Sequence, residues 1–355
     1  MTVIDVPQKL EEQPAEIQKK FNRIFDYYIT TGNLKIPEGM VEWATNQFGG
    51  IDILETQKLL FLENKVIDRG VIYNDVRSKR PQTKGEPVSE EMLLEAAQKP
   101  PFNQPEKLTP EDTFGRLRGD YCITASNVSR YDKWHSVIIF DEPNPLKWSE
   151  DQLVDYLSIA NEWFTKVHEK DESAWFPFFQ WNCLWRAGAS IPHGHMQMSV
   201  KQNKPYSQIE KMRAASWQYE NETGSNYFDD YYEVHEALGL AFSQDGFRYI
   251  FPIDPKKERE VIVLMDAFDE KFAQKLHALL TVYRDELGVQ SFNAGAYLKP
   301  MGGNMEWNHM PIMFRLVDRG RLDNVNSWIG VMEYFAQDVI TFDPYHTAET
   351  IQSQL

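Results

Sequence analysis

Ala187–Val200 reads AGASIPHGHMQMSV, with His193 and His195 two residues apart and Gln197 two further on. The whole chain has 8 histidines, so their pairing here asks for a reason. Side chains on a strand alternate between its faces. On a strand, therefore, His193, His195 and Gln197 share one face, and Met196, Met198 and Val200 share the other. The methionine and valine face suits a core, which leaves a polar row on the opposite side. An edge strand with solvated polar side chains is the bland alternative. Gly188 and Gly194, with Ser190 and Pro192 beside them, favour a site, because glycine lets backbone approach a ligand closely.

Outward from this strand, one order of elements occurs twice. Strands are expected at DYCITAS and HSVIIF, a helix from Ser149 to Glu169, and strands at FPFFQWN and HGHMQMSV. The order recurs as strands at FRYIFPI and EREVIVLM, a helix from Asp269 to Leu287, and strands at SFNAGAYL and MPIMFRLV. Start signals support both helices: Ser149 before Glu150 and Asp151, and Asp266 or Asp269 before the second apolar pattern. Asn182 precedes His195 by 13 residues and Asn293 precedes Glu306 by 13, which aligns Gln197 with Asn308. The pattern predicts a duplicated α+β unit whose second copy lacks the histidine pair.

The flanks read differently. Residues 14–65 show helical spacing in IQKKFNRIFDYYI, MVEWATNQF and ETQKLLFLEN. A turn-rich basic piece, YNDVRSKRPQTKGEP, carries Arg77, Lys79, Arg80 and Lys84, with Arg69 just before it. One short helix between proline-rich linkers is expected over residues 86–112, and helix plus loop over 201–234. A final helix is expected in SWIGVMEYFAQDVI, Ser327–Ile340.

The 355 residues suffice for two domains, or for one with an extension. A net charge of −16 argues against general binding of nucleic acid, whose phosphates call for clustered Lys and Arg. A local basic pocket for an anionic small molecule stays compatible with that charge. Two cysteines, Cys122 and Cys183, make no disulfide scaffold and fit a reducing, cytoplasmic setting. The first residues lack the apolar core of a signal peptide, and no apolar run approaches the roughly 18 residues of a membrane span.

Two chemistries fit the histidine pair. Two histidines on one strand supply two zinc ligands, but zinc takes three or four and no CxxC is present. Neutral imidazole can instead attack phosphorus, provided its second nitrogen donates to a fixed acceptor. Gly188, Ser190 and Arg186 stand ready to cradle phosphate oxygens in that case.

The segment NCLWRAGASIPHGHMQ resembles the active-site segment of galactose-1-phosphate uridylyltransferases, in the histidine-triad superfamily. Asn182, Gly188, Ser190, Pro192, His193, His195 and Gln197 fall at that family's spacings. VRSKRP, Val76–Pro81, is similar to the family's basic nucleotide-contacting segment, and IGVMEYFAQDVITFDP to its hexose-contacting helix. The resemblance implies tandem histidine-triad-like units, antiparallel sheets flanked by helices: residues 106–234 with the active histidine and 235–355 degenerate. Residues 1–105 would be a helical extension plus the basic segment.

It also implies ping-pong nucleotidyl transfer, from a nucleotide-sugar to a sugar 1-phosphate or inorganic phosphate. His195 would be the nucleophile, the carbonyl of His193 would hold its ring, and Gln197 would stabilise the intermediate. Arg77, Arg80, Arg186, Asn182, Gly188 and Ser190 would bind phosphate and nucleotide, and Glu333 and Gln337 the sugar. No cofactor is required, no membrane or nucleic-acid partner is implied, and family members are often dimers, which suggests a homodimer. Gly194 stands where the family usually has proline, and the absent CxxC predicts no structural zinc there. Glu333 and Gln337 lie closer together than the family's pair. Competing readings are a diadenosine polyphosphate phosphorylase, a nucleotide-binding protein without turnover, and a metal-dependent hydrolase.

Overall fold

The computed structural model describes residues 2–81, 85–302, 306–325 and 330–355. The N-terminal region, expected to be helical, is mixed. A helix at Ala15–Ile24 runs straight into β1 (Phe25–Asn33), which pairs antiparallel with β2 (Thr56–Asn64). The helical spacing of Phe21, Ile24, Phe25 and Tyr28 misleads, because Tyr27-Tyr28-Ile29-Thr30-Thr31 is rich in the aromatic and β-branched residues that suit strands. Helices at Val41–Phe48 and Asp52–Glu55 separate the two strands, and β3 (Arg69–Tyr73) follows on the far side of β2.

The duplicated unit builds one sheet from β4 (Cys122–Ser126), β5 (Trp134–Phe140), β6 (Ala174–Cys183), β7 (His195–Gln202), β8 (Ala241–Gln244), β9 (Phe247–Ile250), β10 (Val261–Met265), β11 (Phe292–Tyr297) and β12 (Ile312–Asp318). Its order is β4-β5-β7-β6-β11-β12-β10-β9-β8. The first half is the run to β6, the second the run from β11, and the antiparallel β6–β11 pair is the seam. At that seam Asn182 faces Asn293, the two residues that the 13-residue spacing had aligned.

One sheet face is greasy throughout. Trp181, Phe179, Met196, Met198, Phe292, Phe314 and Leu316 are buried under the helices Glu150–Lys170 and Glu270–Asp285, which bring Trp163, Phe164, Phe272 and Leu276. At roughly 25 cal/mol per Å² of apolar surface removed from water, this layer dominates the stability of the fold. The first helix begins with a capping box, Ser149 accepting from Gln152 N while Gln152 accepts from Ser149 N. The opposite face carries Gln180, Asn182, Gln197, Asn293, Arg315 and Val317, all partly exposed.

The second half keeps the strand order but not the expected register. Asn293 pairs with Val317. The β6–β7 ladder, continued two residues past Gln180↔Gln197, sets Asn182 opposite His195. Asn182 thus lies at the end of its strand, beside the connection to β7, whereas Asn293 lies at the start of β11, and Val317 opposite it lies at the end of β12 rather than at its start, where His195 stands in β7. Glu306 and Asn308 lie instead in an exposed connection, because the chain between Tyr297 and Ile312 is longer than that between Cys183 and His195.

Near the C terminus the expected helix is a short 3-10 turn, Val331–Phe335, and a strand, β13 (Gln337–Ile340). Residues 327–329 of that expected helix fall outside the described residues. Ala336 adopts a left-handed φ of 56°, which ends the turn, and β13 then pairs parallel with β3. The small sheet β1-β2-β3-β13 thus draws residues 337–340 away from the second unit. It packs against the connection between β9 and β10: Asn64 Nδ2 donates to Asp254 Oδ2 at 2.8 Å, Arg69 Nη1 to Asp254 O at 2.9 Å and Tyr73 OH to Ile253 O at 2.9 Å. Arg69, counted among the basic-segment cations from sequence, is spent on this buried contact. No helix among the described residues is long and apolar enough to cross a membrane.

Candidate active site

Between β6 and β7 the chain must turn tightly over the sheet end. Leu184 sits at φ 68° and ψ 176°, a conformation that costs a non-glycine residue about 1–3 kcal/mol. A 3-10 turn, Trp185–Ala187, follows, and Gly188 takes φ 93°. Gly194 is needed for space: a Cβ there would lie 2.5 Å from Phe140 Cδ2 and 3.0 Å from Glu142 O. Its N–H donates to Pro143 O, and its carbonyl accepts from Phe140 N. The crossing is fixed on both sides.

That crossing orients both histidines. The His193 ring is buried with Nδ1 2.9 Å from Ala97 O and Nε2 2.8 Å from Phe140 O. Its own carbonyl accepts from His195 Nδ1 at 2.8 Å, which leaves Nε2 of His195 as the nitrogen with the lone pair. No hydrogen bond reaches that Nε2 among the described residues. The ring of Phe102 meets His195 edge-on, 5.2 Å between centroids. Phe102 packs in turn with Ile123, Ala125, Val137 and Ile139. Burial pushes the His195 imidazole down to about 4, partly opposed by the bond to His193 O. At neutral pH His195 is an uncharged base with a fixed tautomer.

Gln197, two residues along β7, turns its Oε1 to His135 Nε2 at 2.9 Å and to Gln180 Nε2 at 3.2 Å. Asn182 Oδ1 accepts from Asn293 Nδ2 at 2.7 Å, which also donates to Ala187 O. Asn293 Oδ1 accepts from Arg319 Nη1 at 2.8 Å. Arg186, on the turn after β6, has its pKa lowered by burial and then by the nearby Arg319 charge. Gly188 and Ser190 are exposed on the same loop. The structure thus brings His193, His195, Gln197, Asn182 and Arg186 to one end of the sheet.

The remaining sequence-derived residues stand on other elements. Arg77 lies within the 3-10 turn Asp75–Lys79 and Arg80 directly after it, the turn being anchored by Lys79 Nζ on Phe48 O and by Val76 among Ala44, Phe48 and Leu54. Lys84 lies outside the described residues. Glu333 forms an ion pair with Lys257 and is within charge range of Arg319, on a turn whose Val331, Tyr334 and Phe335 are exposed. Gln337 is on β13, opposite Gly70 of β3. Sequence reasoning did not single out Phe102, Asn293 or Arg319 as site residues. Asn293 had a signal, its match to Asn182. His309 is structural, with Nε2 3.1 Å from Arg213 O.

Both nitrogens of His193 face carbonyls, so the pair cannot act as a two-histidine metal ligand. Among the described residues no three His, Cys, Asp or Glu side chains are grouped to hold a metal ion. A cleft of about 630 Å³ exists elsewhere, lined by Asp229, Tyr232, Glu233, Glu236 and Arg248. It holds none of the histidine-segment residues.

The fold has known relatives. An ADP-glucose phosphorylase from Arabidopsis thaliana, solved with bound ADP-glucose, is 17% identical, matches 83% of this chain and 98% of its own, and has a TM-score of 0.60. A galt-like protein from Arabidopsis thaliana is 15% identical over 84% of this chain and 99% of its own, also at 0.60. A uridylyltransferase structure is 15% identical over 83% and 98%, at 0.56. The fold is uridylyltransferase-like. No protein-family model and no curated protein matches the sequence. On this uridylyltransferase-like fold, the tandem halves expected from sequence are the two halves of the nine-stranded sheet.

Proposed function

We infer that the protein is a nucleotidyltransferase that carries a nucleoside monophosphate on His195 Nε2, taken from a nucleotide-sugar and passed to a sugar 1-phosphate or inorganic phosphate. The observation that carries this is the bond from His195 Nδ1 to His193 O, which fixes a neutral imidazole whose Nε2 has no partner among the described residues. Nε2 would attack the α-phosphorus, forming a P–N bond as the P–O bond to the leaving phosphate breaks. The leaving sugar phosphate keeps the electron pair and needs no proton. An acceptor phosphate oxygen then attacks the same phosphorus, and the P–N bond returns its pair to Nε2.

Gln197 suits this route because an amide donates hydrogen bonds to phosphate without delivering a proton. Arg186, Arg77 and Arg80 would neutralise phosphate oxygens, with Gly188, Ser190 and Asn182 lining the approach. Glu333 and Gln337 would contact the sugar. Intact-protein mass after mixing with a panel of nucleotide-sugars and dinucleotides tests the reading. A gain of one nucleoside monophosphate, absent in His195→Ala, supports it and identifies the base. Tight nucleotide binding with no adduct from any donor would overturn it in favour of a binding protein without turnover.

A further inference from the structure

His135 opens the strand next to β7 and is 1% exposed. Its Nε2 lies 2.9 Å from Gln197 Oε1, while its Nδ1 is buried without a partner among the described residues. A proton on Nδ1 would be a buried donor with no acceptor, so the favoured tautomer carries its proton on Nε2 and points it at Gln197. Asn127 Nδ2 is farther from that nitrogen, at 3.3 Å, and Asn127 Oδ1 is committed to Ser129 N. Burial holds the His135 pKa below its ordinary value, against weaker pulls from Gln197, Asp132 and Asp112. The ring of Tyr131 covers the imidazole at 3.9 Å, and the Tyr131 hydroxyl contacts Gln180. Arg130 and Asp112 are held by each other, Asp112 also accepting from Ser136 and Trp163.

Gln197 Oε1 therefore accepts twice, from His135 and from Gln180. An amide whose oxygen is tied back in this way presents its NH₂ group the other way. We propose that His135 is a positioning residue: its Nε2–H locks the Gln197 amide so that both amide N–H donors face the phosphate carried on His195. Histidine-triad chemistry alone does not call for a histidine at this point on β5, and no motif in the sequence marks it. The inference rests on the nucleotidyl-transfer reading of His195. Without His135, the amide could flip and aim its oxygen at the phosphate, which repels it.

The test is a double-mutant cycle on the rate of adduct formation, followed by acid quench and intact mass, with the melting temperature read alongside. His135→Phe should slow adduct formation about 10- to 100-fold, less than the loss of a whole oxyanion donor. His135→Gln, whose Nε2 can reach the same oxygen, should restore the rate to within about threefold. In a Gln197→Ala background, His135→Phe should change the rate little, because its partner is gone. Equal losses in both backgrounds would make His135 merely structural and overturn the proposal. Should His135→Phe fail to fold, His135→Met and His135→Gln make the comparison at similar length, and a Met variant as fast as the Gln variant overturns it as well. A wild type that forms no adduct removes the transfer reading itself, a result distinct from an adduct with additive losses.

Discussion

Lowering the pH should expose the cost of burying His195. The folded imidazole takes a proton only below about 4, whereas the unfolded one does so below about 6.5. Between those values the unfolded chain binds more protons, so stability rises with pH and falls as the solution is acidified. The gap is worth about 3 kcal/mol, at about 1.4 kcal/mol for each pH unit. Above pH 6.5 both states are neutral and the residue contributes no slope. His195→Asn keeps a donor toward His193 O but cannot titrate, so it isolates the effect from every other group. Urea unfolding of both proteins between pH 7.5 and 4.5 should show the wild type losing ground to the variant only below about pH 6.5. In parallel, adduct formation should stay level down to about pH 5 and then fall. A difference curve that is flat, or a rate that drops with an apparent pKa near 6.5, would refute the buried, neutral nucleophile.

Three further outcomes follow from contacts already described. Gly194→Ala should cost about 1–3 kcal/mol in chemical unfolding, because its Cβ meets the Phe140 ring, which is itself stacked on Tyr156 at 4.1 Å. It should also slow adduct formation, since Phe140 O holds His193. Gln197→Glu should reduce adduct formation about 100-fold or more while leaving the melting temperature within a few degrees, because it sets a second negative charge beside the phosphate. Ser149→Ala should lower stability by about 1 kcal/mol with no change in rate, because it removes only the cap of a helix on the opposite sheet face.

The parts of the fold that sequence discloses are those written in local periodicity. HSVIIF, FPFFQWN and HGHMQMSV alternate or run apolar as buried strands do, and the helix Glu150–Lys170 announces itself by its capping box. The hairpin β1–β2 escapes because its apolar residues also satisfy a helical spacing, and β13 because its partner β3 is more than two hundred residues away. Likewise, His195, the proposed nucleophile, and its two-residue neighbours are visible in one short segment. His135, Phe102 and Arg319 reach the site through cross-strand register and packing, which no short window of sequence contains.

The rung joining Asn182 to Asn293 has a consequence for how freely the two halves can drift. A duplicated unit ordinarily leaves its spare copy open to substitution once the chemistry has settled in the other. Here a single side chain of the copy without histidines, Asn293, holds Asn182, the Ala187 carbonyl and Arg319 together. A saturation scan should therefore find intolerant positions at Asn293 and Arg319 alongside those around His195. The second half lacks the histidine pair but still holds the segment that carries it.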